Sequence, residues 1–147
     1  MFQFSMQTAL DVRAKQEKVK MKEMALALSL QQRLESQIEE IDQAVTHSDR
    51  NFGLAKKAGT FTILDFKMVD GFRQKKALDR GLLVAKHKEA AAFTEKRRLE
   101  LVEASKKRKT LEILRDRELA RFTAKMARLE REFSDETASN QFAMNHR

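Results

Sequence analysis

Between residues 27 and 45, apolar side chains return at helical intervals. Ala27, Leu30, Leu34, Ile38, Ile41 and Val45 follow at steps of 3, 4, 4, 3 and 4 and fall on one stripe of a helix. Met21, Met24 and Leu28 carry the stripe upstream at steps of 3 and 4. The pattern predicts one helix over residues 4–49. The eleven-residue step from Ala27 to Ile38 departs from a strict heptad, so heptads are not expected to be sustained and the supercoil should relax there from its left-handed form.

The periodicity lapses at His47 and does not resume before Gly59, so residues 50–60, bracketed by Gly53 and Gly59, are expected to form a loop. Thr62-Ile-Leu-Asp65 then matches a capping box, in which the hydroxyl caps a free backbone amide and the acid three residues on reaches back. A second helix is expected over residues 62–134, marked by Met68, Phe72, Leu82, Phe93, Leu101, Ala104, Leu111, Leu114, Phe122, Met126, Leu129 and Phe133. Gly71 and Gly81 interrupt it, each costing about 1 kcal/mol relative to alanine. They are expected to admit close approach of the partner helix, or to mark a bend. From Ser134 the helical signal weakens, and residues 135–147 are expected to be a frayed tail.

Two amphipathic helices around one short loop predict an all-α fold: a single coiled-coil domain over residues 1–147, built as a two-helix antiparallel hairpin with a longer C-terminal helix. Folding about residue 56 would set Ile41 near Gly71, Leu34 near Leu78 and Leu28 near Val84. The first helix would then cover the second only to about residue 108, leaving roughly 25 helical residues, about 40 Å at 1.5 Å per residue, without an intramolecular partner. Leu111, Leu114, Phe122, Met126, Leu129 and Phe133 lie along that overhang. Such a stripe needs another surface to cover it, either a partner protein or a second copy of the chain.

Composition narrows the function. The 147 residues include no proline, no cysteine and 4 glycines, while 35% are charged and 41% hydrophobic. Turn-rich β and α/β folds are disfavoured, a thick core is not expected, and there is no thiolate for catalysis, metal binding or a disulfide. Residues 1–10 lack the basic and apolar regions of a signal peptide, and no run approaches the roughly 18 apolar residues of a membrane span, so a soluble, cytoplasmic protein is expected. The net charge of +8 is uneven: residues 1–46 carry 6 basic and 7 acidic side chains, and residues 61–147 carry 21 and 14.

No chemistry-bearing constellation emerges. His47, His87 and His146 have no metal-ligand spacing and are expected to be solvated, no Gly-Lys-Ser/Thr phosphate loop occurs, and a thin coil offers no pocket to desolvate paired acids, so neither catalysis nor a cofactor nor a metal is expected. Methionines 21, 24, 68 and 126 suit flexible core filling. Arg73-Gln-Lys-Lys76, Lys96-Arg-Arg98 and Lys106-Lys-Arg-Lys109 are the basic clusters. They keep open a basic helical-hairpin nucleic-acid binder as an alternative, since such runs neutralise phosphates. The absence of Tyr and Trp, which supply base stacking, favours a solvated face or one that meets acidic protein, and no nucleic-acid partner is expected. A purely structural homodimeric coiled coil is the other alternative.

The order of features resembles the flagellar export protein family FliJ: Phe2-x-Phe4 leading into Leu10-Asp-Val-Arg13 and Lys15-x-Glu17, one long hairpin, then Leu111-Glu-Ile-Leu-Arg-Asp-Arg117, Phe122, and the acids Glu130-x-Glu132 and Asp135-Glu136. The resemblance implies a non-enzymatic stalk of the type III export apparatus, similar in shape to the gamma subunit of rotary ATP synthases. Its terminal portions would enter the pore of a hexameric export ATPase, and the protein would also engage the export-gate membrane protein at the inner membrane and, in some members, escort export chaperones. On that comparison the ATPase contact is expected on Leu111, Leu114, Arg115, Arg117, Phe122, Leu129 and Phe133 with Phe4 and Leu10 nearby, and the gate contact toward the loop at Phe52, Phe61 and Phe66.

Overall fold

The computed structural model describes residues 1–145, so His146 and Arg147 lie outside the described residues. The described chain forms two α-helices, α1 (Gln7–Lys57, 51 residues) and α2 (Ile63–Asn145, 83 residues), packed against each other. The all-α hairpin with a longer second helix is the expected fold. Its boundaries differ from the expected ones. Residues 50–57 are helical, and so is the expected tail from 135 to 145. Gly53 lies inside α1, and after Gly81 no glycine or proline remains to stop α2. Within that stretch the Thr137 hydroxyl donates to the Phe133 carbonyl (2.8 Å), a bond made inside the helix.

The reversal occupies residues 58–62. Gly59 donates its N–H to the Lys56 carbonyl (3.2 Å) and Thr60 donates to the Ala55 carbonyl (3.1 Å), the two bonds of a Schellman motif. Gly59 has φ of 69°, a left-handed conformation that glycine adopts without Cβ strain. Lys56 and Lys57 in the last turn face the negative end of the helix dipole. The capping box then starts α2 as its sequence predicts: Asp65 donates its N–H to Thr62 Oγ1 (3.2 Å), and Thr62 donates its N–H to Asp65 Oδ2 (2.9 Å). The Phe52 ring meets Phe61 edge-on at 5.6 Å and Phe66 at 6.2 Å, which ties the reversal to both helices.

The chain divides into two compact units, residues 20–101 and residues 1–19 with the chain from Val102 onward. Within residues 20–101 the cross-helix pairs Asp49–Arg73, Asp42–Arg80 and Glu35–His87 are each centred on residue 61, so the expected fold about residue 56 is corrected by five residues. A shorter, later reversal is the reason. In the other unit Arg108 pairs with Glu17, and the Phe2 ring lies 5.6 Å from Phe122. The first strand of chain, through its non-helical residues 1–6, therefore reaches α2 as far as Phe122, and the expected overhang from residue 108 shrinks to the stretch beyond 122.

Among the sheltered positions on α1, Leu10, Arg13, Glu17, Lys20, Met24, Ala27, Gln31, Leu34, Ile38, Ile41, Val45, Ser48 and Phe52 follow one line at alternating steps of 3 and 4, with Ala14, Glu23, Ala44, Asp49, Gly53 and Ala55 sheltered beside it. The heptad is sustained, contrary to the expectation, because several of its positions are polar and leave no hydrophobic signal. The seam on α2 runs from Val69 to Phe122 with the same alternation and one repeated step of four at Asp79, Leu83 and His87. Met21, Leu28 and Leu30, expected on the stripe, are exposed instead. Ala27, Ala90 and Thr94 are buried, small side chains that let the backbones close up, and the Thr94 hydroxyl is satisfied by the Ala90 carbonyl (2.9 Å).

A Cβ added at Gly71 or Gly81 would meet nothing within 4 Å, so neither glycine serves close approach of α1. Gly71→Ala and Gly81→Ala should each stabilise the protein by up to about 1 kcal/mol, whereas Gly59→Ala should destabilise it; urea unfolding monitored by circular dichroism gives the sign of each. The seam makes a second contrast: Leu34→Ala should cost about 2 kcal/mol or more, while Leu30→Ala should stay within about 0.5 kcal/mol. Equal losses at the two leucines would contradict this seam.

Candidate partner-binding surfaces

All nine residues expected at an ATPase contact fall in the unit made by residues 1–19 and the chain beyond 102. They do not form one open surface. Phe4 and Leu10 are 7% and 5% exposed and belong to the packing of that unit. Leu111, Arg115 and Phe122 sit on the seam, half-buried, with Arg115 also donating to its neighbour Asp116 (2.9 Å). Leu114, Arg117, Leu129 and Phe133 are exposed. Beyond Phe122, Met126, Leu129 and Phe133 recur at steps of 3 and 4, and Phe133 is 71% exposed. This is the apolar stretch of α2 that α1 does not reach.

The three residues expected at a gate contact lie together at the reversal, in the other unit. Phe52 is half-buried between its two aromatic neighbours, so its first role is to close the hairpin, while Phe61 and Phe66 stay partly exposed. Leu54, Ile63, Leu64 and Met68, all exposed, enlarge that apolar tip. Leu54 falls where the stripe was expected to lapse, Ile63 and Leu64 lie beside the stripe expected for the second helix, and Met68, expected as one of its markers, is exposed instead.

The sequence also left the polar seam unseen. Lys20, Glu23, Arg97 and Glu100 form one knot across the helices: Lys20 reaches Glu23 (3.0 Å) and Glu100 (3.3 Å), and Arg97 reaches Glu23 (3.1 Å) and Glu100 (2.8 Å). Arg97 also lies over the Phe93 ring at 4.8 Å. His87, expected to be solvated, instead bonds Glu35 across the helix pair at 2.8 Å, and His47 bonds Asn51 within α1 at 3.1 Å. These pairs draw down the basic clusters. Arg73 is taken by Asp49, Arg97 by the knot, Arg98 by Glu95, Lys106 by Glu103 and Arg108 by Glu17 and Glu112. Complementary charges at positions summing to about 122 are the signal that could have revealed them, once the reversal was placed at 61.

The same pairs shift the acids. The Arg108 guanidinium holds the Glu17 carboxyl below its ordinary range against the opposing effect of burial. Arg97, then Lys20, does the same to Glu100, and His87 to Glu35. A carboxyl with a depressed folded pKa adds stability above its unfolded value near 4.5 and loses it as pH falls through the folded value. The melting temperature should therefore fall on acidification from pH 6 to pH 3. Glu17→Gln should lower it at pH 6 and flatten that dependence; thermal melts at several pH values check both, and a Glu17→Gln curve parallel to the wild type would contradict the assignment.

No helix among the described residues is long and apolar enough to cross a membrane. No curated protein and no solved structure matches the chain. The family model described as flagellar FliJ protein matches residues 2–147, essentially the whole length. An all-helical hairpin with a longer second helix accompanies that match, and the chain belongs to the flagellar FliJ family, whose members are components of the flagellar export apparatus and not known enzymes.

Proposed function

We propose that this protein is a stalk and adaptor of flagellar protein export, held in the pore of the hexameric export ATPase and linked to the export-gate membrane protein, with an escort role toward export chaperones. It works at the inner membrane as a peripheral component from the cytoplasmic side. The observation that carries the reading is the stretch of α2 beyond Phe122, where Met126, Leu129 and Phe133 stay exposed with no α1 residue to cover them. An apolar stripe on a helix otherwise rich in charge needs a second surface, and a ring pore supplies one on several sides.

Direct ATPase contact falls on Leu114, Arg117, Leu129 and Phe133. Burial of the apolar side chains supplies affinity and Arg117 supplies charge complementarity. Phe4, Leu10, Leu111, Arg115 and Phe122 hold that segment of α2 in place by packing. The gate contact uses the reversal, through Phe61 and Phe66 as positioned by Phe52.

Leu129→Asp with Phe133→Asp should leave helicity unchanged, because both side chains are exposed, and weaken pull-down of the ATPase at least tenfold, along with any stimulation of ATP hydrolysis. Leu99→Asp, an exposed change elsewhere on α2, should do neither. Unchanged ATPase capture by the double variant would refute the proposed contact, and its loss together with a dimer-to-monomer shift in sedimentation would assign the stripe to a second copy instead.

A further inference from the structure

The helix turns that flank the reversal expose a cluster of apolar side chains. Leu54 is 60% exposed, Ile63 76%, Leu64 66%, Phe66 50% and Met68 66%. These side chains are presented by a rigid frame: the Schellman bonds end α1, the capping box starts α2, and Phe52 locks the two together. The apolar residues lie in the last turn of α1 and the first two turns of α2, on either side of the reversal. Here they point out, and the local charge is basic. Lys56 and Lys57 end α1, and Lys67 follows Ile63 by one turn on the same face of α2. The one acid between Leu54 and Met68, Asp65, accepts bonds from Thr62, and the three lysines leave this segment with a net charge of +2.

We infer that the hairpin tip docks on an anionic lipid surface, with Ile63 and Leu64 entering the headgroup boundary while Lys56, Lys57 and Lys67 meet lipid phosphates. Protruding apolar side chains ringed by lysine are the chemistry of interfacial binding, in which burial and attraction to anionic lipid add together. A protein surface would need acids placed against three separate lysines, whereas a lipid surface supplies them at any orientation. The inference uses the same tip as the gate contact but needs no protein partner, so each can fail without the other.

The chain contains no tryptophan, so one introduced at the tip reports its own surroundings. Leu64→Trp should shift to shorter emission wavelength on adding vesicles of phosphatidylglycerol and phosphatidylcholine, and should not respond to phosphatidylcholine alone. Leu78→Trp, an exposed site outside the tip, should not shift with either. In cosedimentation with the anionic vesicles, Ile63→Glu with Leu64→Glu should lower partition at least tenfold, and Glu at these first-turn positions keeps the helix start favourable. Three results would overturn the inference: no partition of the wild type, equal partition of the double variant, which would mean that the +8 net charge binds vesicles without the tip, or equal shifts for the two tryptophans. If vesicles fail while the double variant loses purified gate protein, the tip belongs to a protein contact.

Discussion

The register of the hairpin depends on a reversal five residues long. Gly59 can close α1 because its backbone enters the left-handed region, and Thr62 can open α2 because Asp65 answers its amide. Those two events fix where the chain turns, and the turn fixes which residue of α1 faces which residue of α2. Shifting the centre from 61 to 56 would move every pairing by ten residues. Asp42 would then lose Arg80, and Glu35 would lose His87. The Phe52, Phe61 and Phe66 rings hold this geometry against fraying, since two helix ends joined by a short linker would otherwise lose their last turns.

Once register is fixed, the seam explains why a chain with 41% hydrophobic residues keeps two long helices together. Positions that a purely apolar coiled coil would give to leucine hold Glu17, Lys20, Arg97 and Arg108, and they pair across the helices. Ion pairs with this much solvent contribute modestly to stability. Their larger effect is selective, because a helix slipped by one heptad would oppose the wrong charges. The same economy leaves leucines such as Leu26, Leu78 and Leu99 outside the seam and exposed. A helix pair held partly by polar residues keeps apolar ones for other surfaces.

The sequence made the architecture legible and the pairing illegible. Long helices followed from the lack of proline, and the capping box at Thr62 marked a true helix start. Gly53 misled because a helix tolerates one glycine for about 1 kcal/mol when neighbouring residues pack, as Phe52 does here. The heptad was hidden for a different reason: periodicity is sought in apolar residues, while this seam also holds the half-buried Gln31 and Lys76 and the buried Thr94 beside Leu34. The candidate contacts divide in the same way. Leu129 and Phe133 were visible as unpaired markers. That Phe4 and Leu10 are buried depended on residues 1–6 folding along α2, which no local pattern announces.

Gly71 and Gly81 carry a last consequence. Both sit in exposed helix with open space where a side chain would go, so packing against α1 does not require glycine at either position. Intrinsic propensity favours alanine at both. Retaining glycine there weakens α2 between Met68 and Leu82, near the reversal, while the stretch from Leu82 onward has none. The helix is thus softened beside the tip and uninterrupted along the segment beyond Phe122.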